Sequence, residues 1–314
     1  MSVNPQSLQC WVITEGMAGT ENQCLGVAEA LGVSPIVKRV KLRGLWKFLS
    51  PWLPFETKSM FDVPLEGPWP DLLLASGRKS IAASRYIKKQ SGGKTFTVQI
   101  QDPRISPRYF DLVAVPAHDP TRGDNVAVTK AAPNKITDTK LAKARNDFSS
   151  YFAMMPSPHI AVLIGGNSKA HRMSIKAMEK LGQQLSALGG SLMITASRRT
   201  TEAQKDALQK GLGDKAHWFW DGTGENPYLG MLAWADYILV TADSVSMLSD
   251  AATTGKPVYM IAMEGGSKRF DTFHDGLLQS GAVRRFEGLL EQWRYQPFQD
   301  STFVAEQILS RLKI

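Results

Sequence analysis

The feature that most constrains this chain is a repeated succession: a short, wholly apolar, β-branched run, a turn bearing Gly, Pro, Ser or Asp, and then a segment with helical spacing. Runs that are apolar throughout, rather than alternating, are expected where both faces of a strand are covered, as in a parallel sheet flanked by helices. In the first half, residues 10–16 (CWVITEG) predict a strand, and Thr20 to Leu31 predicts a helix with Leu25, Ala28 and Leu31 in phase and Gly32 closing it. Further strands are expected at Ile36 to Leu42, Asp71 to Ala75, Thr95 to Ile100 and Leu112 to Val115. The plan restarts with a strand at Ile160 to Ile164, a helix from Arg172 to Leu188 and a strand at Leu192 to Thr195, followed by strands at Tyr237 to Thr241 and Val258 to Ala262.

A chain of 314 residues exceeds the length at which one core usually stops growing. The expected fold class is therefore α/β, with two Rossmann-like domains facing a cleft. The segment FAMMPSPH, Phe152 to His159, puts two prolines between a helix and a strand, so the division is expected there, as residues 1–153 and 154–314. With 43% hydrophobic and 21% charged residues the chain has globular composition. The start, MSVNPQSLQCWVITEG, has neither a basic n-region nor a long apolar run, so a soluble, cytoplasmic protein is expected. Cys10 and Cys24, without clustered histidines, predict free thiols rather than a disulfide or zinc site. A net charge of +8 favours anionic partners: nucleic acid, an acidic lipid surface or a phosphorylated small molecule. Zinc-finger spacing, RNP-like aromatics and basic heptads are missing from the sequence, so no nucleic acid is expected.

Ligands of doubly wound sheets bind at the carboxyl ends of the strands. The strand assignment therefore singles out EGMAGTEN (Glu15 to Asn22), SGRK (to Lys79), QDPR (to Arg104) and PAHD (to Asp119) in the first half. In the second half it singles out GGNS (from Gly165), ASRRTT (to Thr201), ADSVSMLS (to Ser249) and EGGSK (Glu264 to Lys268). The densest constellation is Asp243, Ser244, Ser246, Ser249 and Asp250, following a strand and opening a helix. Ser244 and Ser246 would flank a helix N-terminus suited to phosphate, and Asp250, two turns in, would accept two sugar hydroxyls. A plain N-cap at Asp243 or Ser244 accounts equally well for that segment. Ser197, Arg198 and Arg199 offer charge-assisted bonds to a diphosphate, or are solvated surface groups. Gly165 and Gly166, followed by Asn167, would allow close approach of a ligand to the backbone. GMAGTEN is not GxGxxG, and a GxxxxGK[ST] loop is missing, so a nicotinamide dehydrogenase or P-loop ATPase is not expected.

EGMAGTENQCLGVAEALG, LLASGRKSIAASRYI, QIQDPR, the strand-end PAHD, LIGGNSKAHRM, ITASRRT and VTADSVSMLSDAATTGKP together resemble the bacterial members of the family named after the plant "elongated mitochondria" fission protein, from about Trp11 to Phe286. The second half is also similar to the donor half of GT-B glycosyltransferases, particularly the type that adds N-acetylglucosamine to a lipid-linked cell-wall precursor. That resemblance implies a metal-independent, cofactor-free transfer of sugar from a nucleotide-diphosphate donor to a lipid-linked or envelope acceptor. It also implies a donor site of Gly165, Gly166, Asn167, Ser197, Arg198, Arg199, Asp243, Ser244, Ser246, Ser249, Asp250, Glu264 and Lys268. Asp250 would stand at the ribose-binding carboxylate, usually a Glu.

The acceptor candidates are Gly16, Gly19, Thr20, Asn22, Arg78, Lys79 and Arg104, with Glu15, Asp102, His118 and Asp119 as candidate general bases. In GT-B enzymes the terminal helix returns to the first domain. Phe303 to Leu312, with Val304, Ile308 and Leu312 on one face, is expected to do the same. The family name leaves a non-catalytic membrane adaptor as the alternative, and an epimerase or phosphorylase as a third. Lys38 to Phe55 carries Lys38, Arg39, Lys41, Arg43 and Lys47 among Leu45, Trp46, Phe48, Leu49, Trp52 and Leu53, with Pro51 and Pro54 interrupting any regular element. It is expected to touch an anionic membrane surface at the inner face of the cytoplasmic membrane, or else to form a strand and a core-packed helix.

Overall fold

The computed structural model describes residues 5–53 and 55–312, so Pro54 lies outside the described residues. The chain divides into two compact units, Met1–Lys135 with Gln299–Ile314, and Ile136–Phe298.

The first unit holds strands β1 (Cys10–Thr14), β2 (Ile36–Arg39), β3 (Leu72–Ser76), β4 (Phe96–Ile100), β5 (Leu112–Pro116) and β6 (Val126–Thr129), all parallel, in the order β2-β1-β3-β4-β5-β6. Helices α1 (Ala18–Ala30), α2 (Trp46–Leu49) and α3 (Ile81–Gln90) complete its first pass. Because successive side chains point to opposite faces, the unbroken apolar strands supply two cores. Val12, Leu72 and Leu74 pack with Cys24 and Val27 of α1, while Trp11, Ile13 and Leu73 pack with Tyr86 and Ile87 of α3.

The second unit contains α4 (Asp138–Asp147), α5 (Ser149–Phe152), β7 (His159–Ile164), β8 (His171–Arg172), α6 (Ile175–Ser186), β9 (Ser191–Ala196), α7 (Glu202–Leu212) and β10 (His217–Phe219). It continues with α8 (Tyr228–Trp234), β11 (Tyr237–Thr241), α9 (Val245–Thr253), β12 (Val258–Ile261), β13 (Glu264–Gly265), α10 (Lys268–Gln279) and β14 (Val283–Arg285). Its parallel sheet runs β10-β9-β7-β11-β12-β14, with Val162 registered against Ile194 on one side and Leu239 on the other. Met178, Leu181 and Leu185 of α6 and Leu208 of α7 close the core over Ile160 and Val162.

Helix α11 (Asp300–Leu312) returns to the first unit, as expected: its Val304 and Ile308 are buried in the α1 core. Asp300 fixes the return by accepting the backbone N–H groups of Lys130 and Ala131, both at 2.9 Å.

The division falls at Lys135 and again at Phe298, not at Phe152 to His159. Arg145 donates to the Ala233 carbonyl at 3.1 Å, and the Trp234 indole donates to the Arg145 carbonyl at 2.8 Å, so α4 belongs with α8. The Pro156 carbonyl accepts from the Ser191 hydroxyl and that of Pro158 from the Ser191 N–H, which makes this stretch part of the second unit rather than a linker. The helix expected from Arg172 begins at Ile175, where Ser174 caps it, because Arg172 pairs with Glu264 in a two-strand ribbon. The strand expected to reach Leu42 ends at Arg39, and Leu42 makes only an isolated bridge to Phe61.

Candidate functional site

In the second unit the connection through α6 carries β7 to β9 on one side and the connection through α9 carries β11 to β12 on the other, so the order switches between neighbours β7 and β11. A crevice outside the carboxyl ends of such strands is the ligand site of open α/β sheets. The loops arriving there are Gly165 to Ser168 after β7, Ser197 to Thr201 after β9, and Ala242 to Ser244 after β11.

Asp243 organises all three. Its carboxylate is buried and accepts from the Gly166 N–H at 3.0 Å, the Thr241 hydroxyl at 2.8 Å and the Arg199 guanidinium at 2.7 Å. Thr241 in turn accepts from the Gly165 N–H at 2.6 Å, and the Thr200 hydroxyl donates to the Gly165 carbonyl. Neither glycine admits a side chain: a Cβ on Gly165 would lie 2.0 Å from Asp243 Oδ1, and one on Gly166 2.5 Å from the Arg199 backbone. The close approach expected of these glycines toward a ligand is thus made to the protein's own Asp243 and Arg199. Asp243 and Arg199 shape the loops, and Arg198 stands exposed next to them in the chain. Asn167 accepts the Met173 N–H at 2.9 Å and steadies the loop from below. Ser197 accepts the Arg199 N–H at 3.2 Å.

Ser244 is the N-cap of α9, accepting the Met247 N–H at 3.3 Å. Ser246 lies half-exposed in its first turn. Ser249 departs from its expected role: it is buried and its hydroxyl bonds the Val245 carbonyl one turn back at 2.7 Å, so it faces the helix rather than a ligand. Asp250, half-exposed, accepts the Tyr228 hydroxyl at 2.8 Å. Burial, reinforced by the Asp250 carboxylate, holds that phenol well above its ordinary pKa, so it stays a proton donor. Glu264 is exposed in β13 and accepts weakly from Ser174 at 3.4 Å, while Lys268 opens α10 behind the positive-φ pair Gly265 and Gly266. Sequence reading missed Thr241 and Tyr228, and it singled out the loop of Thr200 without assigning that residue a role. Thr241 shows only as a strand-end threonine, and Tyr228 stands twenty-two residues before its partner.

In the first unit the candidates also gather at carboxyl strand ends, but most are already engaged. Glu15 pairs with Lys79 at 2.7 Å beyond β1 and β3. Gly16 takes φ +87° and donates to Thr14, whereas Gly19 and Thr20 ride on the first turn of α1 and Asn22 opens the second. Arg39 grips Glu21 with two bonds of 2.8 and 2.7 Å, and that hydrogen bonding, opposed by partial burial, lowers the carboxyl pKa. Asp102 accepts the Arg104 N–H at 2.8 Å and the Thr121 hydroxyl at 2.7 Å in a loop where Arg104 adopts φ +56°; Arg104 is exposed, as is Arg78 in the loop after the neighbouring strand. His118 and Asp119 lie against each other with only 5% and 1% of their side chains exposed. That burial removes the solvent access expected of a general base at either position.

The Lys38 to Phe55 segment splits between the two expectations. Trp46 packs on the core around Trp11 and Ile13, as a core helix would. Leu45, Phe48, Trp52 and Phe55 are 75%, 77%, 59% and 68% exposed. Lys38 lies over the Trp11 ring and Arg39 is held by Glu21, leaving Lys41, Arg43 and Lys47 on the exposed side. Glu56, the single acid between Ile36 and Phe61, is buried against Arg85 at 3.0 Å. Among the described residues no helix is long and apolar enough to cross a membrane.

Two parallel-sheet Rossmann-like units, the second switching order beneath its loop cluster, place the chain in the GT-B fold class. Solved structures of that kind align over nearly its whole length: a Methanocaldococcus jannaschii UDP-GlcNAc 2-epimerase in complex with UDP-GlcNAc and UDP (TM-score 0.54, 12% identity, 97% of this chain and 99% of that one) and Acinetobacter baumannii MurG (TM-score 0.50, 12% identity, 97% and 90%). Residues 18–312 match the family described as Mitochondrial fission ELM1, and the chain belongs to that family. The mitochondrial fission protein ELM1 of Arabidopsis thaliana is 30% identical to it over 96% of this chain and 90% of the relative.

Proposed function

We propose that this protein is a metal-independent glycosyltransferase that binds a nucleotide-diphosphate sugar in its second unit and moves the sugar to a lipid-linked or envelope acceptor. The observation that carries the reading is the convergence of Gly165, Arg198, Asp243 and α9 on one switch point, with Asp250 two turns into the helix. The helix N-terminus and Arg198 would stabilise charge developing on the leaving diphosphate, and Asp250 would accept the ribose hydroxyls. Neighbours of the same fold have been solved with UDP and UDP-GlcNAc, which supports the donor class. In the first unit, Arg78 and Arg104 are the exposed cations for an anionic acceptor, and Glu15, half-exposed beside Lys79, is better suited to deprotonate a hydroxyl than buried His118.

Peripheral attachment to the cytoplasmic face of an anionic membrane, through Leu45, Phe48, Trp52 and Phe55 with Lys41, Arg43 and Lys47, completes the proposal. Trp52→Ser should cut sedimentation with anionic vesicles while the fold survives, whereas Trp46→Ser should destabilise the first unit.

The second reading, a membrane adaptor without chemistry, is favoured by the burial of His118 and Asp119. A thermal-shift screen against nucleoside diphosphates and their sugars separates the two, because a specific ligand raises the melting temperature by mass action. Stabilisation followed by sugar transfer to a lipid extract is expected. No shift with any of them would favour the adaptor.

A further inference from the structure

We infer that Tyr228 is a positioning residue that fixes Asp250 for the donor's ribose and so sets the preference for ribonucleotides over 2′-deoxyribonucleotides. The inference rests on the donor reading above. An aspartate is one methylene shorter than a glutamate, so a carboxylate at this point of α9 must be held in one rotamer to meet a diol. The phenol supplies that restraint: its hydroxyl donates to Asp250 Oδ2 at 2.8 Å. A carboxylate has two lone pairs on each oxygen, so it can accept a phenol and sugar hydroxyls together.

The restraint is transmitted from a helix pinned at both ends. At its start, Asn226 accepts the Tyr228 N–H at 3.0 Å. At its end, the Lys256 ammonium donates to the Leu232 and Ala233 carbonyls at 2.8 and 2.7 Å, and Arg145 adds a bond to Ala233. Helix α8 is only seven residues long, and these anchors keep it from sliding past α9. The phenol also remains protonated at every ordinary pH, so the bond to Asp250 does not switch off near neutrality.

The test is titration calorimetry of wild type, Tyr228→Phe, Asp250→Asn and Asp250→Ala with UDP and with 2′-deoxy-UDP, each variant checked for an unchanged circular dichroism spectrum. Wild type is expected to prefer UDP, and Asp250→Ala to lose that preference. Tyr228→Phe should weaken UDP roughly fivefold, the worth of one lost hydrogen bond, and leave 2′-deoxy-UDP nearly unmoved. Asp250→Asn, which keeps the shape but weakens the acceptor, should fall between, and it tests the same bond should the phenylalanine variant not fold. Equal weakening of both ligands by Tyr228→Phe would show a packing role and overturn the inference, as would full retention of the preference. Retained preference in Asp250→Ala would instead overturn the ribose assignment. A wild-type protein that binds no nucleoside diphosphate would overturn the donor reading and this inference with it.

Discussion

Replacing Asp243 tests whether the switch-point loops are held by the protein itself. In Asp243→Ala the buried Gly166 N–H loses a charged acceptor, which costs roughly 1.5 to 3 kcal/mol when nothing replaces it. The Thr241 hydroxyl loses its acceptor as well, about 1 kcal/mol. Arg199 is 47% exposed, so solvent screening limits its ion pair to under about 1 kcal/mol. The expected loss is therefore about 2.5 to 5 kcal/mol, confined to the second unit. Asp243→Asn keeps the shape and one acceptor oxygen and should cost about half as much. Urea unfolding followed by circular dichroism and tryptophan fluorescence, fitted with separate transitions for the two units, measures both. An alanine variant within about 1 kcal/mol of wild type, or an asparagine variant as damaging as alanine, would refute the clamp, since each would mean the loop N–H groups find water or other partners at no cost.

Lys256 gives a pH dependence of defined sign. Burial depresses its pKa from 10.5 to about 8. Between those values the unfolded chain holds a proton that the folded chain has released, so this group's contribution to stability rises with pH through the window and is lost below about 8. The stability difference between wild type and Lys256→Met, measured in urea at either end of the window, should shift toward wild type at the higher pH; an unchanged difference would contradict the depressed pKa. Truncation before Asp300 should unfold the first unit and spare the second, read as loss of one of two denaturation transitions, because Val304, Ala305 and Ile308 are core residues there.

The parts of the fold legible in sequence were those buried on both faces. β1, β3, β7 and β11 are continuous apolar runs because helices cover each side, and their shortness and flanking turn residues, with β-branched content in β1, β7 and β11, mark them as strands. β6 (VAVT), β10 (HWF) and β14 (VRR) lie at sheet edges, with one neighbour and polar or exposed residues, so their signal merges with loop sequence. The strand-end rule brought Gly165, Arg199 and Asp243 to one place from positions nearly eighty residues apart. It does not say which side chain points inward. Asp243 bonds a neighbouring loop, Ser249 its own helix, and His118 is enclosed, and each outcome depends on rotamers chosen by packing partners distant in sequence. The α4 assignment failed for a related reason. Two prolines marked an irregular stretch, but the bond from Arg145 to Ala233 spans eighty-eight residues and has no local signature.

The return of α11 has a consequence for the order in which the chain acquires structure. Residues 136–298 are an insertion in the first unit: the strand edge at Lys130 to Asn134 and the start of α11 are stitched together by Asp300 and Ser301. During synthesis the whole insertion emerges before the helix that seals the α1 core. The second unit can therefore reach its native form while the first still shows Cys24, Val27 and Ala127 to solvent, the surface later covered by Val304 and Ile308. A nascent chain stalled anywhere in the insertion carries an open first unit, and that apolar face is what a chaperone would meet.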